Sequence, residues 1–238
     1  MWRFLLFLFL MANGSVWSQD LTVPEEILDE LHTVVLKTEQ DTFMFRVSFP
    51  DHYDKSKSYK CFIGLSGGDQ SLEKVNYCYA AWFRSGYFNE HITILPVVHK
   101  DTINFKDYSK ERIEDLLNAI NEEYILDPQW LIAGTSNGGI AAFNFVAAFP
   151  DRFEGIITSP GMLEDHIILN SEWSHLKVIL AYGELDDKMW IKGVKTTGKR
   201  LKNSVASLTL VPLKGQGHIL PIKFNVDKMY DPYFLGGN

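Results

Sequence analysis

Ile132-Ala-Gly-Thr-Ser-Asn-Gly-Gly139 decides the reading of this chain. Within it, Gly134-Thr-Ser-Asn-Gly138 is a G-x-S-x-G pattern. Gln129-Trp-Leu-Ile-Ala133 before it is an apolar run short enough for a buried strand, and the Ala- and Phe-rich stretch from Ile140 to Phe149 after it suits a buried helix. A strand, a sharp turn with Ser136 at its tip, then a helix is the setting of a nucleophile elbow. The glycines let a strained chain pass tightly beneath the serine. The helix N-terminus behind the serine favours developing negative charge. Five residues of this kind also recur by chance, so the reading needs the rest of the chain.

Serine is a weak nucleophile unless an imidazole takes its proton, and the imidazole needs a carboxylate to hold its tautomer. On an elbow of this kind the order along the chain is Ser, then Asp or Glu, then His. Val178 to Tyr182 reads as a strand after the elbow, and Gly183-Glu-Leu-Asp-Asp187 follows it, so Asp186 and Asp187 are both candidate acids. Of the seven histidines, only His218 lies beyond them, in the glycine-rich Lys214-Gly-Gln-Gly-His218. An oxyanion needs two backbone N–H donors. Asn137, after the serine, is one. Gly64-Leu-Ser-Gly-Gly-Asp-Gln-Ser71 supplies the other, with Gly68 the first candidate and Asp69 the second.

Outward from the elbow, the chain reads as a strand at 31–36, a turn at Glu39-Gln-Asp41, and a strand at 42–49 whose Phe43, Phe45, Val47 and Phe49 alternate with Thr42, Met44, Arg46 and Ser48. That is an antiparallel hairpin. Strand–helix alternation follows: strand 61–65, helix 71–87, strand 92–98, a helix carrying Ile113, Leu116, Leu117, Ile120 and Tyr124 with Ser109 as its cap, then the elbow. Strands at 153–158 and 176–182, a helix at 189–201 and a strand at 207–213 complete it. The implied fold is α/β: a mostly parallel sheet with helices on both faces, an antiparallel N-terminal hairpin and no large lid.

The 238 residues are 46% hydrophobic and 22% charged, enough for one globular domain. A net charge of −7 gives no basic footprint for nucleic acid. Met1-Trp-Arg3, an apolar run from Phe4 to Met11 and the small residues around Val16-Trp-Ser18 form a signal-peptide pattern. Residues 1–18 are therefore expected to be removed. The remainder, 19–238, is expected to form a single domain, secreted or periplasmic, without stable membrane insertion. Cys61 and Cys78 read as buried thiols, although export permits a disulfide. Met189 and Trp190, which follow the acid, read as core packing, with the wall of an acyl or alcohol pocket as the alternative, and the pairs Asp51-His52 and Asp165-His166 as surface rather than metal ligands. No metal or cofactor is expected.

Val47-Ser-Phe-Pro-Asp-His-Tyr-Asp54, Tyr59-Lys-Cys-Phe-Ile-Gly-Leu-Ser-Gly-Gly68 and Phe149-Pro-Asp-Arg-Phe-Glu-Gly-Ile-Ile-Thr-Ser159, with the elbow, carry a family resemblance. The chain resembles α/β-hydrolase-fold serine esterases of the compact group around esterase D, feruloyl and acetyl esterases and polyester depolymerases. It departs from them in having Ser66-Gly67 where many have His-Gly. The resemblance implies Ser136 as nucleophile, Asp186 as acid, His218 as base, Gly68 and Asn137 as oxyanion donors, and a small or polymer-linked ester as substrate, cleaved through an acyl-enzyme without a cofactor. The alternatives are a catalytically silent binding domain and a peptidase of the same fold.

Overall fold

The computed structural model describes residues 22–99 and 103–235. The signal peptide expected at residues 1–18 lies outside the described residues. Eight strands form one sheet: β1 (His32–Lys37), β2 (Thr42–Ser48), β3 (Lys60–Leu65), β4 (His91–Val97), β5 (Trp130–Gly134), β6 (Phe153–Thr158), β7 (Lys177–Gly183) and β8 (Ser207–Leu213). Their order is β1-β2-β4-β3-β5-β6-β7-β8. β1 and β2 form the antiparallel hairpin, β2 lies antiparallel on β4, and every other pairing is parallel. The α/β-hydrolase sheet anticipated from the sequence is the sheet observed.

The helices are α1 (Glu25–Leu28), α2 (Leu72–Cys78), α3 (Lys110–Glu123), α4 (Asn137–Ala148), α5 (Lys188–Leu201) and α6 (Asp227–Phe234). Period two along the strands divides the apolar side chains between two faces. In β5, Trp130 and Ile132 join the cluster that holds Leu116 of α3, Phe143 of α4 and Val194 of α5. Leu131 and Ala133 join the other cluster, with Val75 of α2 and Tyr230 of α6. Covered on both faces, β3 to β7 are almost continuously apolar. Beside the edge strand β1, β2 buries only Phe43, Phe45 and Val47.

Two elements differ from the sequence reading. Residues 71–87 are not one helix. α2 passes into a π-helical turn (Tyr79–Phe83) closed by the Arg84 N–H on the Tyr79 carbonyl, and Gly86–Phe88 then forms a separate 3₁₀ turn. The partners that break it are distant in sequence. Arg84 swings out to Glu30, with Nε 2.9 Å from both carboxylate oxygens, and the Ser85 hydroxyl donates to Asp227. The second element is α6, a short helix that contains Pro232. It forms because Tyr230 buries itself and donates to the Trp82 carbonyl at 2.6 Å, and Phe234 stacks on Tyr87.

The strand order places the site. From β3 the chain turns through α2 to β4 on one side. From β5 it turns through α4 to β6 on the other. β3 and β5 are neighbours, so their carboxyl ends flank the crevice where the winding reverses, the usual ligand position in such sheets.

Candidate active site

Ser136 stands at that crevice, between β5 and α4. Its backbone is left-handed, φ 55° and ψ −121°, a strained state that persists only because its surroundings hold it. The Thr135 N–H donates to Leu65 at the end of β3 (3.1 Å), and the Ser136 N–H donates to Pro160 (2.8 Å). Close approach explains the glycines. A Cβ on Gly134 would lie 2.1 Å from the Gly138 carbonyl oxygen, and one on Gly138 would lie 2.0 Å from the Leu65 oxygen. Strand β5, the first turn of α4 and the end of β3 are therefore in backbone contact beneath the serine.

His218 follows β8, on a loop tied to the turn after β7. Leu185 donates to Gln216 at 2.9 Å and Glu184 to Leu213 at 3.2 Å, while a Cβ on Gly183 would lie 2.3 Å from the Gly217 oxygen. This lacing brings the Asp186 carboxylate to the imidazole. His218 Nδ1 lies 3.0 Å from both Oδ1 and Oδ2, and His218 Nε2 lies 3.1 Å from the Ser136 hydroxyl. A carboxylate only accepts, so in the neutral ring Nδ1 donates to Asp186 and Nε2 is left to accept from Ser136. The Asp186 side chain is 1% exposed and takes a further bond from the Asp187 N–H at 2.6 Å. Asp187 is exposed and caps α5, accepting from the Met189 N–H at 2.7 Å. The two adjacent carboxylates thus have different tasks, and only Asp186 faces the imidazole.

The β3 loop is held by amides. Gly68 has φ +65°, and its carbonyl accepts from Asn137 Nδ2 at 3.0 Å and Asn104 Nδ2 at 3.1 Å. The peptide is trans, so the Asp69 N–H on its opposite edge turns away from the Asn137 side chain. Gln70, fully buried, donates to the Ser66 carbonyl (3.0 Å) and accepts from the Phe105 N–H (2.8 Å). Asn137, first residue of α4, has an N–H with no partner one turn back in the helix.

A small cleft of about 30 Å³ opens beside Ser136 and His218. Tyr77, Cys78, Trp82 and Ile219 form apolar walls, and Lys74 joins the rim. Sequence reasoning missed these residues, as well as Gln70 and Asn104. Their only signal is tertiary: Asn104 reaches Gly68 across 36 positions. Core packing for Met189 and Trp190 is overturned. Met189 is 60% exposed, and Trp190 is half-buried with its ring 5.0 Å from that of His218, because α5 starts at the site and points its first turn outward.

Cys61 and Cys78 are free and buried, and burial raises both thiols, Cys78 to about 12. The Gly67 N–H donates to the Cys78 sulfur. Asp51, His52, Asp165 and His166 are exposed, as expected. Among the described residues no group of three or more His, Cys, Asp or Glu converges as metal ligands, and no helix is long and apolar enough to cross a membrane.

A sequence model of the phospholipase/carboxylesterase family matches residues 53–227. No curated protein matches the chain. Among solved structures, the apo form of Thermogutta terrifontis esterase 2 is 13% identical, with 87% of this chain and 94% of that chain covered and a TM-score of 0.63. A thermostable esterase is 16% identical over 79% of this chain at a TM-score of 0.61, and this chain spans only 56% of its length. A mutant feruloyl esterase module from Clostridium thermocellum, complexed with sinapinate, is 13% identical, with 88% and 89% covered and a TM-score of 0.57. At these identities the likeness is one of fold.

Proposed function

The chain belongs to the phospholipase/carboxylesterase family and is a hydrolase of the α/β-hydrolase fold, and from that premise we propose that it cleaves carboxylic esters with Ser136, His218 and Asp186 as its catalytic triad. The carrying observation is the continuous relay from the strained serine through the imidazole to a buried carboxylate, at 3.1 and 3.0 Å. In this reading Ser136 Oγ attacks the acyl carbonyl as His218 Nε2 takes its proton, and Asp186 stabilises the imidazolium. The N–H groups of Gly68 and Asn137 receive the oxyanion. Gly68 is preferred to Asp69 because the Asp69 N–H turns away from Asn137. His218 then protonates the leaving alcohol. Water, deprotonated by the same imidazole, releases the acid from the acyl-serine.

The substrate is proposed to carry a short acyl group, free or attached to a polymer. The cleft beside Ser136 has room for about 30 Å³, well below the about 300–1,000 Å³ of ligand pockets, so it accommodates only a small group. The segment between β6 and β7, where a lid could arise, holds only one 3₁₀ turn (Ser171–Trp173). It is pinned to the body: Leu163 and Ile167 are buried, and Arg200 donates to the carbonyls of Leu163, Glu164 and Ile167. We further propose one domain from 19 to 238, exported after removal of residues 1–18.

The test is labelling by a fluorophosphonate together with a p-nitrophenyl ester series. The expected result is one adduct on Ser136, lost in Ser136→Ala, with kcat/KM falling as the acyl chain lengthens. No adduct under conditions that label a control esterase would overturn the triad and favour a silent binding domain. A steady rise in kcat/KM to long chains would replace the short-acyl reading.

A further inference from the structure

Helix α5 gathers positive charge. Residues 188–202 hold six of the chain's 23 Lys and Arg and none of its 30 Asp and Glu, in a protein whose net charge is −7. Arg200 turns to the carbonyls of Leu163, Glu164 and Ile167. The other five, Lys188, Lys192, Lys195, Lys199 and Lys202, are all exposed. They follow one another at steps of four and three, which sets them in one row along the helix. At about 1.5 Å per residue the row is about 21 Å long. Like charges at this spacing destabilise a helix. Among the described residues no carboxylate stands within ion-pairing distance of any of the five, and their one side-chain partner is the Tyr182 ring, its centroid 5.4 Å from the Lys195 ammonium.

A second observation is a groove of about 570 Å³ beside this row. Lys195, Lys199 and Lys202 line it from α5, and Leu208 and Leu210 line it from β8, the last strand of the sheet. That volume falls within the about 300–1,000 Å³ of ligand sites. The row also begins at the catalytic residues: Asp187, next to Asp186, caps α5, and Trp190 in its first turn has its ring 5.0 Å from that of His218. A chain laid along α5 would reach the crevice at one end.

The occupant follows from charge. A row of ammonium groups without counter-charges complements an extended polyanion. Lysine brings point charges rather than the planar fork with which arginine grips phosphate. No aromatic side chain lines the groove, as stacked bases would need. Val194 and Leu201 of α5 are buried, so that apolar face is not free to enter a lipid surface. A chain of carboxylated sugars needs neither feature.

We propose that the lysine row of α5 and the groove beside β8 hold a linear acidic polysaccharide, a polyuronate, and that the ester delivered to Ser136 is carried on that chain. The inference rests on the esterase reading and adds the class of polymer. The lysines hold and steer the chain and leave the proton relay to His218.

The test follows acetate release from O-acetylated polygalacturonate and from O-acetylated dextran, a neutral polymer. In the wild-type protein kcat/KM should favour the acidic polymer by about tenfold or more at low salt, and added salt should erode the preference. Replacing Lys195, Lys199 and Lys202 together by Gln should bring the ratio to about one, and replacing them by Arg should keep most of it, which separates charge from folding. Replacing Lys55, Lys57 and Lys223 by Gln makes the same change in net charge elsewhere on the surface and should keep the ratio. Equal rates on both polymers in the wild type, or equal losses in the two Gln variants, would overturn the inference and leave the esterase reading intact. Displacement of fluorescein-labelled polygalacturonate measures the surface apart from the chemistry. Unlabelled polygalacturonate should displace it better, per unit charge, than single-stranded DNA or phosphatidylglycerol vesicles, and the reverse order would overturn the polymer class. Failure to hydrolyse either polymer or p-nitrophenyl acetate would remove the esterase reading, whereas binding of labelled polygalacturonate that is lost in the Lys195, Lys199 and Lys202 Gln variant would still support the surface.

Discussion

Gly138→Ala tests how the elbow is built. In a helix interior alanine is favoured over glycine by about 1 kcal/mol, so propensity alone predicts stabilisation. The structure predicts the reverse. The new Cβ would stand 2.0 Å from the Leu65 carbonyl oxygen and 2.4 Å from that of Ser66, and both are backbone atoms that cannot rotate away. Cβ contacts under 3.0 Å are essentially never seen, so α4 and the end of β3 must part by about 1 Å. The proposed oxyanion donors sit on the two sides of that gap, Gly68 beyond β3 and Asn137 at the start of α4. A misplacement of about 1 Å in a catalytic constellation costs about 100-fold in rate. Overpacking of this kind costs about 1–3 kcal/mol of stability. The assay is kcat/KM on p-nitrophenyl acetate with urea unfolding of the same preparation. We expect a folded, destabilised protein whose kcat/KM is about 100-fold lower. A variant as stable as wild type, with kcat/KM within about threefold, would refute the claim that this backbone contact sets the donor spacing.

Other outcomes follow from the same geometry. Asp186→Asn should lower kcat by about 10⁴, whereas Asp187→Ala should lose an α5 cap, about 1 kcal/mol of stability in thermal unfolding, with activity largely kept; equal kinetic losses would show that the two carboxylates are not divided as described. His91 is buried, and burial, reinforced by the Lys60 charge, lowers its pKa from 6.5 to about 4. Its neutral form is therefore favoured in the folded state, and the unfolded chain takes up more protons below pH 6.5. Stability from this group is present above that pH and falls by about 3 kcal/mol as pH drops to about 4. Urea midpoints across this window should fall less steeply in His91→Gln, and parallel slopes would exclude the assignment. The native protein should resist a thiol reagent that titrates both cysteines, Cys61 and Cys78, once it is unfolded; rapid native labelling would contradict their burial.

Much of the architecture was legible because its causes are local. Alternation of Phe43, Phe45 and Val47 marks a strand with one buried side, and the observed hairpin pairs Val34 with Phe45 and Leu36 with Phe43. Ser109 caps α3 by accepting from the Arg112 N–H, as a serine before an apolar helical period should. The glycines around Ser136 announced a tight turn, and the neighbours a Cβ would strike give the reason. The break at 79–88 and helix α6 were not legible. The first depends on Glu30 and Asp227, the second on Trp82 and Tyr87, and no window of sequence holds both partners.

At the site the boundary is equally physical. The sequence by itself determined which residue types could act and their order along the chain: a serine on an elbow, an acid after a later strand, one histidine beyond it, and a glycine pair after an earlier strand. Only the tertiary structure distinguishes the surroundings of Asp186 from those of Asp187. They are adjacent, and what separates them is that one faces an imidazole 32 positions away while the other caps the next helix. The tertiary structure alone also brought Trp190 to His218, fixed the Gly68 peptide with Asn104 and Asn137, and lined the cleft with Lys74 and Trp82. Backbone conformation and amphipathic period are short-range properties that a few neighbouring residues set. Which side chains share a cleft depends on strand order and loop packing, and these follow from the free energy of the whole folded chain.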